Sequence, residues 1–195
     1  LGPDDLLSLV AFSDRVEVLT AAVPVKDRRT LYAAIARLRA EGGTEIYQGL
    51  QAGLTQLRKH ATPEYLSHLI LLTDGRTYGD EEIALREAQR AAEEDNIGIS
   101  ALGIGEDWND LFLDQLTQYS NGVCEYIRSP TQVRDLLGAQ VQHLSKIFLR
   151  GLRLDLNTAP YVNVRSVYRV EPHVEELRVC SEAMIPLGDL GEESM

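Results

Sequence analysis

The sequence predicts an α/β fold: a doubly wound, mostly parallel sheet with helices on both faces, followed by a small antiparallel β segment. Three observations carry this expectation. Short apolar runs alternate with amphipathic helical stretches from about residue 5 to residue 148, the signature of strand–helix–strand units. One of those runs, His68-Leu69-Ile70-Leu71-Leu72-Thr73, lacks polar alternation, as a strand buried on both faces requires. Beyond Leu149 to Gly151 the helical period disappears and short alternating runs replace it. The expected domains are therefore residues 1–150, the α/β unit, and residues 151–195, a β-rich segment.

The elements follow in order. Leu6 to Phe12 is mostly apolar and reads as a buried strand. Ser13-Asp14 is a turn signal, and Arg15 to Leu19 alternates like a half-exposed strand, so the two runs form a hairpin. A helix from about Lys26 to Ala40 puts Leu31, Ala34, Ile35 and Leu38 on one face, and Gly42-Gly43 stops it. A second helix opens at Thr44 and reaches about His60, burying Ile46, Leu50, Leu54 and Leu57. After the 68–73 strand, an acidic-fronted helix from Asp80 to about Asp95 turns Ile83, Ala84, Ala88 and Ala91 inward. Ile97 to Ile104 is a strand, Asp110 to Tyr119 a short helix and Gly122 to Ile127 a strand. Ser129-Pro130-Thr131-Gln132 starts a capped helix that reaches about Phe148. Gly151 to Leu156, Val162 to Val170 and Glu175 to Val179 read as antiparallel strands. Ile185 to Glu193 reads as a strand and turn awaiting a partner, with a frayed acidic tail from Gly188.

Composition narrows the function classes. The 195 residues are 44% hydrophobic and 25% charged, ordinary for a globular domain. The net charge of −11 argues against nucleic acid, whose phosphates call for clustered Lys and Arg. No apolar run is long enough to insert in a membrane, and the opening Leu1-Gly2-Pro3-Asp4-Asp5 has no basic flank of the signal-peptide kind. Cys124 and Cys180 have no metal-ligand spacing, and Cys124 reads as a small buried hydrophobe.

Two loops carry the candidate chemistry. Gly42-Gly43-Thr44 opens a helix, and Thr73-Asp74-Gly75 ends an apolar strand. Thr44 reads either as an N-cap or as a ligand, and Asp74 either as an Asp-Gly turn or as a carboxylate at the strand edge where open α/β sheets bind ligands. The segments Glu41 to Leu50 and Leu69 to Gly75, with Phe12-Ser13-Asp14 and Gly103-Ile104-Gly105, together resemble a bacterial-type von Willebrand factor A (vWA) domain over about residues 4–150.

That resemblance implies a Rossmann-like fold and a metal-ion-dependent adhesion site. Thr44 and Asp74 would be its metal-facing residues, holding Mg²⁺ (or Mn²⁺ or Ca²⁺) and engaging an acidic side chain of a protein partner. Hydroxyl and carboxylate oxygens suit such hard cations. Tyr47, Arg76, Thr77, Tyr78 and Asp107 are candidate rim residues. The family's Asp-x-Ser-x-Ser loop is not in these residues, and Leu1 to Asp5 leads directly into what resembles the family's second strand. The metal site is therefore expected to be incomplete here, and the cation weakly held or absent. Removing the central strand costs several apolar side chains, about 1.5–3 kcal/mol each, and leaves two unpaired edges. These residues are thus expected not to stand alone with an open slot: a strand-exchanged homo-oligomer or a segment outside these residues fills it.

The leading expectation is an adhesion-type binding module without catalysis; a structural module with no working metal site is the alternative. An enzyme ranks lower. Gly-x-Ser-x-Gly is absent, Gly103-x-Gly105 lacks the third glycine of a dinucleotide loop, and His60, His68, His143 and His173 are scattered.

Overall fold

The computed structural model describes the chain except residues 27, 40–41, 63, 78, 106–107, 121, 160, 171–174, 178–183 and 192–195. The chain divides into two compact units, Leu1–Ser145 and Lys146–Met195.

The first unit opens with an antiparallel hairpin of β1 (Leu6–Phe12) and β2 (Val16–Pro24), with register shifts between Leu7 and Val10. Helix α1 (Arg28–Ile35) packs on β2. It is shorter than expected. Arg37 and Leu38 already make the tightened bonds of a terminal turn, to the Ala34 and Ile35 carbonyls at 3.1 Å. Leu31 and Ala34 are buried as expected, but Ile35 and Leu38 are exposed. A two-stranded hairpin is too narrow to cover the whole apolar stripe.

Three strands form the parallel sheet, in the order β3 (His68–Thr73), β4 (Gly98–Ile104) and β5 (Cys124–Ile127). The pairing runs from His68 opposite Gly98 to Thr73 opposite Gly103, and from Ala101 opposite Cys124 to Ile104 opposite Ile127. Helices α2 (Ile46–Arg58), α3 (Glu81–Glu93) and α4 (Asp110–Gln118) cover one face. Their inward residues, Ile46, Leu50 and Leu54, Ala84, Ala88 and Ala91, and Phe112, Leu113 and Leu116, close one core over Leu71, Ile97, Ile99 and Ala101. Ile83, expected inward, is 46% exposed, because the small Ala stripe of α3 sets its close approach. Cys124 packs toward this core. Its neighbour Glu125 therefore faces the opposite side, where its carboxylate accepts from Gln140 Nε2 at 3.3 Å. That residue belongs to α5 (Pro130–Lys146). Gln132 Oε1 reaches back to the Ser129 N–H at 3.3 Å, the return half of a capping box. Helices thus lie on both faces.

The hairpin and the parallel sheet are not hydrogen-bonded to each other. Helix α2 packs against both β1 and β3, and each of these strands keeps one unpaired edge among the described residues. Within the single chain the slot between them therefore stays open among the described residues. Every residue of β1 is half-buried rather than buried, because one edge and part of one face lack a neighbour.

In the second unit β6 (Ile147–Asp155) follows α5 directly, so Phe148 is in a strand and not in the expected helix. It pairs antiparallel with β9 (Met184–Gly191), and β7 (Val167–Arg169) pairs antiparallel with β8 (Glu175–Leu177). The segment expected to await a partner finds it in β6, and Gly188 to Gly191 are strand rather than frayed tail. Cys180 and His173 lie outside the described residues.

Candidate metal centre

All three parallel strands end at one edge, so their following loops share one surface. Asp74 is the first residue past β3 and is exposed. The loop's shape is fixed from beneath. Thr73 is 5% exposed, and its Oγ1 accepts from the Gly75 N–H at 3.3 Å and donates to the Gly75 carbonyl at 3.1 Å. A Cβ on Gly75 would overlap Thr44 Oγ1. The absent side chain is what lets the two candidate loops touch.

Thr44 is not the N-cap. Helix α2 begins at Ile46, and Glu45 holds the cap position with no side-chain bond. The first-turn donors are satisfied by the loop after β3 instead. The Ile46 N–H donates to Thr77 Oγ1 at 3.3 Å, and the Tyr47 N–H donates to Asp80 Oδ2 at 3.0 Å. Thr77 Oγ1 in turn donates to Asp80 Oδ1. Thr77, expected at the rim, is buried and ties the two loops together. Sequence reasoning missed Asp80, whose only local signal is its place in the next helix's first turn. The Thr44 hydroxyl and the Asp74 carboxylate have no hydrogen-bond or ion-pair partner among the described residues.

A third loop joins this edge. Gly42 has φ +81°, a left-handed conformation that favours glycine, and a Cβ there would run into the Asp14 carboxylate and Ser13 Oγ. The Glu45 N–H donates to the Ser13 carbonyl at 2.8 Å. The Ser13-Asp14 turn therefore lies against the Gly42–Glu45 loop. Among the described residues no three His, Cys, Asp or Glu side chains come together as a metal cluster. The donors fit a hard cation in kind, an uncharged hydroxyl beside a carboxylate, but fall short of the roughly six oxygens such an ion takes.

The remaining candidates separate. Tyr47 Oη accepts from Gln51 Nε2 at 3.3 Å. Arg76 lines a hollow with Gly105, Trp108, Asp110 and Tyr126. Tyr78 and Asp107 lie outside the described residues. His68 sits at the far end of β3, its Nε2 2.9 Å from Ser100 Oγ, and His60 and His143 are exposed. Burial first, then the bond to Asp114, pushes the Cys124 thiol up to about 12.

The von Willebrand factor type A domain profile matches residues 2–138. The chain belongs to the von Willebrand factor type A family. An uncharacterized protein of Synechocystis sp. is 32% identical over 197 residues, covering 97% of this vWA chain and 46% of the relative. A von Willebrand factor type A structure from Catenulispora acidiphila superposes with a TM-score of 0.81 at 23% identity, over 98% of this chain and 47% of that one. Proximal thread matrix protein 1 from the mussel byssus, solved with a zinc-occupied MIDAS motif, gives a TM-score of 0.57 at 22% identity, over 70% of this chain and 34% of that one. These structural likenesses show the fold. The chain spans about half of the first two relatives' length and a third of the mussel protein's.

Proposed function

We propose that this vWA domain is a protein-binding module whose Thr44 and Asp74 face a divalent cation, Mg²⁺ or Mn²⁺, that engages an acidic group of a partner. One observation carries the reading. The two other threonines of these loops are bonded, Thr73 to Gly75 and Thr77 to Asp80, while the Thr44 hydroxyl and Asp74 carboxylate at their meeting point are left over among the described residues. Groups spared from capping and turn bonds, at the ligand edge of a parallel sheet, support a site rather than a scaffold. When bound, the cation supplies a positive centre for the partner's carboxylate. Asp74 brings the one negative charge, Thr44 a neutral oxygen, and Thr73, Thr77 and Asp80 hold both in place.

With two protein donors the cation is held weakly by these residues alone. That shortfall in donors favours the second reading, an interaction module without a working metal site. Calorimetric titration with Mg²⁺ and Mn²⁺ separates the two. The test uses this chain and a version preceded by a strand, an Asp-x-Ser-x-Ser loop and a helix. The extended form is expected to bind, and to lose binding on Asp74→Asn. A folded extended form that ignores both ions rejects the metal reading and leaves the second. The reading assigns no catalysis to these residues.

A further inference from the structure

The glycine pair at the end of β4, unused by the metal site, builds something else at the same edge. A Cβ on Gly103 would overlap the carbons of the Trp108 indole, so the ring lies against the β4 backbone where only glycine leaves room. Trp108 Nε1 donates to the Gly105 carbonyl at 2.9 Å, which fixes the ring's tilt. The Tyr126 ring from β5 stands 5.6 Å away at 31°, with Arg128 5.9 Å from its centroid. Arg76, two residues past Asp74, and Asp110 complete a hollow of about 320 Å³. That volume is at the small end for ligand sites and is ample for a single side chain.

The charges of the described residues around the hollow point to its occupant. Arg76 and Arg128 disfavour a cationic side chain, and Asp110 disfavours an acidic one inside. An aromatic ring meets neither objection and gains the offset contacts that Trp108 and Tyr126 offer. Arg76 is exposed and has no ion-pair partner among the described residues, which leaves its guanidinium for a carboxylate beside that ring.

We propose that the hollow lined by Arg76, Trp108 and Tyr126 is a recognition pocket for an acidic–aromatic segment of a partner protein, the ring entering the hollow and the adjacent carboxylate pairing with Arg76. This rests on the protein-binding reading above but not on the cation. It gives the binding edge a second, metal-independent anchor beside Asp74.

Trp108 is the chain's single tryptophan, so its fluorescence reports the pocket directly. The chain is titrated in EDTA with acetyl-Glu-Phe-amide, and in parallel with acetyl-Gln-Phe-amide, acetyl-Glu-Ala-amide and cellobiose. A saturable change that is strongest for Glu-Phe is expected. Arg76→Gln should weaken Glu-Phe binding about two- to fivefold, the range of an exposed ion pair, and erase its advantage over Gln-Phe. Tyr126→Ala should weaken it by up to about tenfold. Both substituted side chains are exposed, and a circular dichroism spectrum checks that the variants fold. No saturable change, an equal response to all three peptides, a response to cellobiose alone, or indifference to both variants overturns the proposal. Binding that persists in EDTA while metal titration fails overturns only the metal reading.

Discussion

Asp80 anchors the start of a helix that is remote in sequence, and its removal should be costly. Asp80→Ala deletes the acceptor of the Tyr47 N–H, 3.0 Å from Oδ2, and the carboxylate to which Thr77 donates. Losing a cap of this kind costs about 1 kcal/mol. Thr77 is only 3% exposed, so its hydroxyl cannot turn to water, and an unsatisfied buried group adds about 1–3 kcal/mol. The sum is about 2–4 kcal/mol, or a fall of roughly 4–16 °C in Tm at about 2–4 °C per kcal/mol for a chain of this size. Asp80→Asn keeps an acceptor oxygen and loses only the charge at the helix N-terminus, about 0.3–1 kcal/mol. Thr77→Val and Asp80→Ala should combine less than additively, since they break one network. Urea unfolding followed by circular dichroism, with m unchanged, gives the comparison. An Asp80→Ala variant within about 0.5 kcal/mol of the parent, the level of an ordinary surface change, or an Asn variant as damaged as the Ala, refutes the capping argument.

Two further predictions concern the fold. The Cys124 thiol, held at about 12 against an ordinary 9.0, should resist alkylation in the folded chain at neutral pH and react on unfolding, measured in a Cys180→Ser background. Because the unfolded chain ionises first, the protonated thiol's contribution to stability is fully present below about 9.0 and is lost as pH rises toward about 12; alkylation at the same rate with and without urea contradicts this. The unpaired edges of β1 and β3 should make the isolated chain associate with rising concentration, and an added N-terminal strand should suppress that association and raise the denaturant midpoint. Sedimentation velocity showing a monomer at all concentrations, with equal midpoints for both forms, contradicts the slot argument.

What was legible in the sequence was what depends on neighbours in sequence. His68–Thr73 and Gly98–Ile104 announce themselves as unbroken apolar runs, and they pair in parallel as that pattern requires. Periodicity also found the inward face of α2 but misjudged Ile35, Leu38 and Ile83. A helical stripe states which side is apolar, not how much surface its neighbour can cover. The capping of α2 was illegible for a different reason. Its acceptors, Thr77 and Asp80, lie 31 and 33 residues beyond the donors, whereas a local reading sees only the Thr44 hydroxyl nearby. The strand beginning near Ile185 was legible, but its continuation through Gly188 to Gly191 and its partner β6 are set by the fold of the second unit. Gly103-x-Gly105 could be read locally as a failed dinucleotide loop and as one feature of the family resemblance, not as a packing seat. Its role as a seat for Trp108 exists once the chain has folded back over β4.

The central claim is that Thr44 and Asp74 face one cation. It is tested most directly by adding Mn²⁺ to the isotope-labelled chain and mapping the paramagnetic broadening residue by residue, which registers even a weakly held ion. The account predicts that the signals of Thr44, Glu45, Asp74, Gly75 and Arg76 broaden first, that those of His68 and Leu69 at the far end of β3 do not, and that Asp74→Asn abolishes the pattern. Broadening centred on the acidic face of α3 around Glu81, Glu82 and Glu93, or persisting unchanged in Asp74→Asn, contradicts it.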